Sequence, residues 1–408
     1  MKRKHIIFLL LFCLGVIFTS TVHGDGGYNI KTYAELMDFL NNSGYLGMEV
    51  VPADDFGWPD TNQTITITKS LYLTSKPWVI PKNIKLLVKN GGEINNKTAS
   101  GYNYLRIQGK VEFYSDYHEH DELPAITVMK GGQLIIDDND QYMTSPHEII
   151  VKNGGILVLK GNLDLAKWSE DGKSLLNLEK GAIVKPSGNG CITLGGGTLK
   201  GNNVNTKCKV EIWYSHEPSY TSSISGTISI KDLIGRSGVN APSVTIDKNA
   251  KVTLTDAMGI GAFEENDTLT LLQNARLIFS SKNQIGIHYK TINLAKGSAI
   301  TAPNGFYIKG VAGSIAGTVK TPGQIYIVDG SKLTIKNGGL IISTNNNVNI
   351  LEKSILTIAN GGILRVKNKT VDVNNSSVKG NGSIYIGKKG EVKDPKKKIA
   401  STIKIVKK

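Results

Sequence analysis

Along the chain, apolar residues recur at every second position in short runs, joined by polar turns rich in Lys, Asn and Gly. The segment VMKGGQLII at 128–136 matches VKNGGILVL at 151–159, and LTIKNGGLII at 333–342 matches LTIANGGILR at 356–365, both at an offset of 23 residues. Looser copies begin at Ile84, Leu175, Val244, Leu269 and Ile292. Period-two alternation places Ile, Val and Leu on one face of a strand. The Asn-Gly step tolerates the left-handed backbone that a tight corner needs. Two short strands cannot bury their apolar faces alone, so each unit has to stack on the next. A repeat of 22–25 residues with strands and no helical period is the length of one coil of a parallel β-solenoid. The competing arrangement, a sandwich of hairpins, has no reason to keep a constant period. The predicted fold class is all-β, a β-solenoid of about 14 coils forming a rod about 70 Å long. Stacking at ~4.8 Å sets Asn337 over Asn360 as an amide ladder, with Asn90 and Asn153 at the same corner of other coils, in a structural role.

A rod of open strands needs covered ends. Thr32-Tyr33-Ala34-Glu35 has the form of a helix capping box, Tyr33, Leu36, Met37 and Leu40 mark one helical face, and Gly44 fits a terminator. Residues 25–63 therefore read as an N-terminal cap with a short helix and 64–386 as the solenoid. Residues 387–408 read as a Lys-rich segment in which Ile399–Val406 supplies a last strand. Residues 1–24 read as a secretory signal: Lys2, Arg3 and Lys4 precede the apolar run Ile6–Phe18, and Val22-His23-Gly24 offers a cleavage site after Gly24. Phe12 before Cys13 argues against lipid attachment.

The repeat, the capping helix and the signal together resemble the right-handed parallel β-helix superfamily, which includes pectate lyases, polygalacturonases and many surface adhesins. The resemblance covers most of residues 30–385. It implies right-handed winding and is specific for fold rather than function, since enzymes and non-enzymes share it. Pectate lyases hold calcium on several carboxylates beside an arginine that removes a proton. Here the mature chain has only Arg106, Arg236, Arg276 and Arg365, and no acidic set recurs at coil spacing beside any of them. Polygalacturonases use paired aspartates with glycine-histidine-glycine and arginine-isoleucine-lysine motifs. In this chain His288 sits in Gly286-Ile287-His288-Tyr289, and Arg106-Ile107 is followed by Gln108. Neither catalytic set transfers.

Composition narrows the picture further. With 40% hydrophobic and 20% charged residues in 408, the chain is no disordered polyampholyte, and nothing after residue 24 is apolar for long enough to span a bilayer. Loss of the signal lowers the net charge from +14 to +11, of which +7 lies in residues 387–408. That concentration, Lys388, Lys389, Lys396, Lys397, Lys398, Lys404, Lys407 and Lys408, reads as a site for an anionic polymer or as a solubilising end that discourages edge pairing. Nucleic acid is not expected as a partner.

In an oxidising space Cys191 and Cys208 either pair across a modest loop or remain as two buried thiols. Asp137, Asp138 and Asp140 read as a turn, with a calcium-binding loop as the alternative. His118 and His120, two apart, read as a solvated loop or a divalent-metal site on an insertion. No catalytic residue and no required cofactor are assigned, with Ca2+ the one candidate ion. Aromatic residues crowd the first coils, Trp58 and Trp78 among them, and are expected to seal the cap; exposed, they would stack on sugar rings. Thr64–Thr68 alternates Thr with Ile only once, which argues against ice binding. The sequence is thus read as a secreted or cell-surface adhesin-like protein that binds a polysaccharide or cell-surface glycan. The alternatives are a polysaccharide lyase or glycoside hydrolase of the pectate-lyase-like fold, and a structural subunit of a surface assembly.

Overall fold

The computed structural model describes residues 29–42, 47–74, 76–89, 91–96, 104–114, 123–137, 142–144, 148–166, 174–212, 221–235, 243–261 and 267–408. The coil beginning at Lys332 shows how alternation becomes structure. Leu333 and Ile335 point inward and are buried, Thr334 between them stays half-exposed, and Ile341 re-enters the core after the turn. The Gly339 amide closes that turn by donating to the Lys336 carbonyl at 2.8 Å. Its third residue, Gly338, has φ +77°, which glycine adopts without strain. Asn249 fills the same place in the 247–250 turn at φ 62°, being one of the few residue types that visit the left-handed region. Gly339 is needed for another reason: a Cβ there would lie 2.0 Å from the Ile315 carbonyl oxygen of the preceding coil.

Repetition of this unit builds a parallel β-solenoid of about 14 turns. Ile126 pairs with Ile149 and Lys332 with Ile355, the 23-residue offset seen in the sequence. Three faces enclose the core. Face 1 runs from Trp78–Ile80 through Glu148–Val151 and Ser243–Ile246 to Ser377–Gly380. Face 2 runs from Gln63–Ile67 through Ile156–Leu159 and Lys251–Leu254 to Lys404–Lys407. Face 3 is made of successive stacks, from Gly47–Val50 through Asn162–Ala166 to Glu391–Lys393. The long strands Thr198–Asn205 and Ser222–Ile230 run unbroken around the corner between faces 1 and 2 and join them into one sheet. Inward side chains form a single apolar cluster extending from Ile30 to Ile403.

Helix α1, Tyr33–Asn41, follows the edge strand Asn29–Ile30. Its capping box is formed: Glu35 N donates to Thr32 Oγ1 at 3.3 Å, and Thr32 N donates to Glu35 Oε2 at 3.0 Å. Leu36 and Phe39 are buried, while Tyr33, Met37 and Leu40 pack partly against the core. Phe39 was absent from the face read in the sequence. The helix stops at an extended Asn42, and Gly44 lies outside the described residues. At the other end, Lys404–Lys407 pairs with Ser383–Ile386, and Ile399 contributes only a bridge to Val378.

The amide ladder forms at a different pair from the one expected. Asn274 Nδ2 donates to Asn249 Oδ1 at 3.1 Å. Between Asn337 and Asn360 no side-chain bond forms, and the Gly338 amide instead donates to the Gly361 carbonyl at 3.1 Å. Asn249 and Asn274 sit at the left-handed turn position themselves, whereas Asn337 precedes a glycine that does. Asn90 is outside the described residues, as are residues 1–24 with Cys13 and Gly24.

Candidate binding surfaces

The register that buries the core also aligns the outward positions. On face 1, Thr198 pairs with Ser223, and the ladder continues through Thr245, Thr270, Asn293, Ser314, Thr334 and Thr357 to Lys379. Eight successive coils thus carry a hydroxyl or amide at one position, a row of about 34 Å at ~4.8 Å per coil. Threonine is also a good strand residue, so the row is compatible with the fold. All eight side chains are half-buried. Ser223 Oγ donates to Asp247 Oδ2 at 2.8 Å and Ser314 Oγ to Asn293 Oδ1 at 3.1 Å. The hydroxyls of Thr245, Thr270, Thr334 and Thr357 make no hydrogen bond among the described residues. Beside the row, Ser243, Thr268 and Thr291 form a second polar column that Ala312 and Ile355 interrupt. The eight side chains of the row are neutral hydroxyls and one amide, groups equipped to hydrogen-bond a ligand.

The row was missed in the sequence because the coils differ in length. Ser243 pairs with Thr268, Thr291 with Ala312 and Ala312 with Lys332, offsets of 25, 21 and 20 residues. No single period brings the outward positions into line. The Thr64–Thr68 alternation belongs elsewhere, on face 2, where Thr64 pairs with Lys85 and Thr66 with Leu87.

Among the described residues, buried carboxylates stand out at two places. On face 2, Glu112 is 3% exposed, with Lys160 Nζ at 2.8 Å, Lys85 Nζ at 3.0 Å and Lys110 Nζ at 3.5 Å, while Tyr114 donates its hydroxyl at 2.9 Å. Burial works to raise the Glu112 pKa, but the bonds from Lys160, Lys85 and Tyr114 outweigh it and hold the group down at about 2. Lys160 also bonds Asp137, and the two carboxylates keep its pKa above the ordinary lysine value. This is a closed ionic network in which each acid already has a cation.

On face 3, Asp164 pairs with Thr193 and Thr193 with Glu211, one outward column whose three members are all buried. Asp164 is 8% exposed, and burial alone raises its pKa to about 7. Its Oδ1 has no hydrogen-bond partner among the described residues.

No protein-family model matches the chain. No curated protein matches it. Among solved structures it is similar to the "Crystal structure of TibC-catalyzed hyper-glycosylated TibA55-350 fragment", at 13% identity over 85% of this chain and 98% of that one, with a TM-score of 0.22. So loose a superposition says nothing about how this chain acts, and its chemistry has to be read from its own side chains.

The residues singled out in the sequence meet different fates. Lys388, Lys389, Lys396, Lys397, Lys398, Lys404, Lys407 and Lys408 are all exposed. Lys408 Nζ lies 5.5 Å from the Tyr385 ring centroid, and Asp394 accepts the Lys398 and Ile399 amides at 2.8 Å each, which fixes the backbone of the lysine run. Cys191 and Cys208 are buried and not joined to each other by a disulfide: Cys191 Sγ donates to Asn162 Oδ1 at 2.9 Å and Cys208 Sγ to the Thr206 carbonyl at 3.3 Å. Burial pushes the Cys208 thiol up to about 12. Asp137 ends the strand Gln133–Asp137 and is occupied by Lys160. Asp138, Asp140, His118 and His120 lie outside the described residues. Among the described residues no three His, Cys, Asp or Glu side chains are grouped to hold a metal, and no helix is long and apolar enough to cross a membrane.

Proposed function

We propose that this chain is a secreted or cell-surface protein of adhesin-like type that binds a glycan or cell-surface polymer without cleaving it. The observation that supports this is the eight-coil row of hydroxyl and amide groups on face 1. Hydroxyls and amides both donate and accept, as sugar hydroxyls do, so each coil is matched to a polyhydroxylated chain. One such bond contributes only about 0.5–1.5 kcal/mol, and affinity therefore comes from repetition along a rigid rod. The exposed lysines between Lys388 and Lys408 add attraction to anionic polymers, an attraction that salt weakens.

The test is to pass the full chain over immobilised neutral and acidic polysaccharides, with calcium present, recording both retention and polymer length. Retention on at least one polymer is expected. It should fall at least tenfold in the triple variant Thr245→Val, Thr270→Val, Thr334→Val, with the fold unchanged by circular dichroism. Unaltered retention in that variant would refute the row as the binding surface.

A second reading, a lyase or hydrolase, has one observation in its favour. Asp164, protonated near neutrality, and Glu211 share a column two coils apart, about 10 Å. Shortening of a polymer that Asp164→Asn abolishes would establish this reading in place of binding alone.

A further inference from the structure

The first coils carry a cleft of about 520 Å³, lined by the 52–60 segment, Lys76–Val79, Pro81, Asn83 and Arg106. Its volume falls within the ~300–1,000 Å³ usual for small-ligand sites. The local sequence explains why it is concave. Pro52 and Pro59 bracket a segment with no regular structure, which is tied down by Asn83 Nδ2 donating to the Pro59 and Thr61 carbonyls at 2.5 and 2.9 Å. The Gly57 amide donates to Asp55 Oδ1 at 2.9 Å, and Gly57 itself has φ +68°.

The aromatic residues at this end do not all do the same work. Trp78 is 0% exposed and Phe56 is buried, as residues sealing a core should be. Trp58 is only half-buried, although it is held rigidly. Its ring stacks on Trp78 at 5.8 Å and 26°, lies 4.8 Å from Phe56 and 5.8 Å from Tyr33, and its Nε1 donates to the Val79 carbonyl at 3.1 Å. With that single polar atom already satisfied, what Trp58 leaves exposed is apolar ring surface, fixed in place. Trp78, which lines the cleft beneath it, is fully buried, and its indole N–H has no hydrogen-bond partner among the described residues.

Polar groups of both signs line the same cleft. Asp54, Asp55 and Asp60 stand against Lys76 and Arg106, all exposed. Lys76 is engaged by Asp54 at 3.1 Å, and Arg106 has no ion partner among the described residues. A flat apolar ring with carboxylate acceptors and a guanidinium donor beside it suits a sugar, whose ring C–H face stacks and whose hydroxyls donate and accept. An organic cation is disfavoured by Lys76 and Arg106, and an anion by the three aspartates.

We propose that this cleft is a separate saccharide-binding site that takes a short neutral sugar segment, with Trp58 as the stacking surface and Asp60 and Arg106 as hydrogen-bonding partners. It shares its ligand class with the proposed function but none of its residues. Arg106 is on the outward side of face 1, beside Val79 and Thr127. The face that opens into the cleft is therefore the one that carries the hydroxyl row four coils further on.

The experiment titrates the full chain with neutral mono-, di- and trisaccharides and with tetramethylammonium, following tryptophan fluorescence and saturation-transfer NMR of the ligand. At least one sugar should bind saturably. Trp58→Ala should weaken it at least tenfold, and Asp60→Asn and Arg106→Ala, on exposed side chains that leave the fold alone, at least threefold each. Thr245→Val with Thr270→Val should leave it unchanged. The proposal is overturned if no sugar binds, if only tetramethylammonium binds, if binding survives in all three cleft variants, or if the row variant abolishes it. Sugar binding to the cleft in a chain that retains no polymer would sustain this site and count against the row.

Discussion

Two buried carboxylates on this rod respond to pH in opposite directions. Glu112 titrates near 2 when folded, below its ordinary 4.5, because its lysine partners favour the charged form. Its contribution is complete above pH 4.5 and is lost as pH falls towards 2. Asp164 titrates near 7 when folded, above its ordinary 3.8, because burial disfavours its charge. The folded state therefore keeps a proton that the unfolded chain releases, and stability falls as pH rises from about 4 to 7. At about 1.4 kcal/mol per pKa unit, the two effects are on the order of 3–5 kcal/mol, the Asp164 effect being the larger. Urea unfolding from pH 3 to 8 should show Asp164→Asn flattening the decline between pH 4 and 7. Glu112→Gln should lower stability at pH 7 and flatten the acid limb. An unaltered slope between pH 4 and 7 in Asp164→Asn would show that the native carboxyl is not desolvated. Neither residue stands out in the sequence. Glu112 meets Lys160 across 48 residues, and Asp164 is one polar residue in an otherwise ordinary strand.

At the scale of the element, the corner turn separates two glycines that look alike in the repeat. Gly338 is required only for its left-handed φ, and Asn249 shows that asparagine fills the same place. Gly339 is required because the neighbouring coil leaves no room for a Cβ. Gly338→Asn should therefore cost under about 1 kcal/mol, whereas Gly339→Ala, forced against the Ile315 carbonyl, should cost more than about 2 kcal/mol. Thermal unfolding of the two variants decides this, and equal costs would remove the distinction. The turn was legible from the Asn-Gly pair. Which glycine answers to backbone angle and which to crowding was not, since crowding comes from a coil 24 residues earlier in the chain.

At the scale of the whole molecule, each coil pairs its strands with those of its neighbours around one continuous core, so stability is set largely coil by coil. Leu333, fully enclosed between adjacent coils, is a clean probe. Leu333→Ala should cost about 2–5 kcal/mol. Hydrogen exchange should accelerate in the coils flanking Leu333 while the coil containing Ile149 keeps its protection. Uniform acceleration along the rod would mean that it unfolds as one unit. The same one-dimensional order gives the outward rows their length, for any residue type that recurs coil after coil becomes a stripe.

The sequence by itself determined the strand pattern, the coil and the helix cap. Period-two alternation decides which side chains are buried, a recurring offset decides what stacks on what, and Thr32 and Glu35 are close enough to find each other in the chain. Tertiary structure decided everything facing outward. Coils of unequal length bring Thr198, Asn293 and Thr357 into one line only when they are wound. Lys85 and Lys160 reach Glu112 from other coils, and the half-exposed Trp58 is set by a segment tied back onto Asn83. The core needs only a local apolar period, whereas a surface needs registration between distant residues, which exists only after the backbone hydrogen bonds between coils have formed.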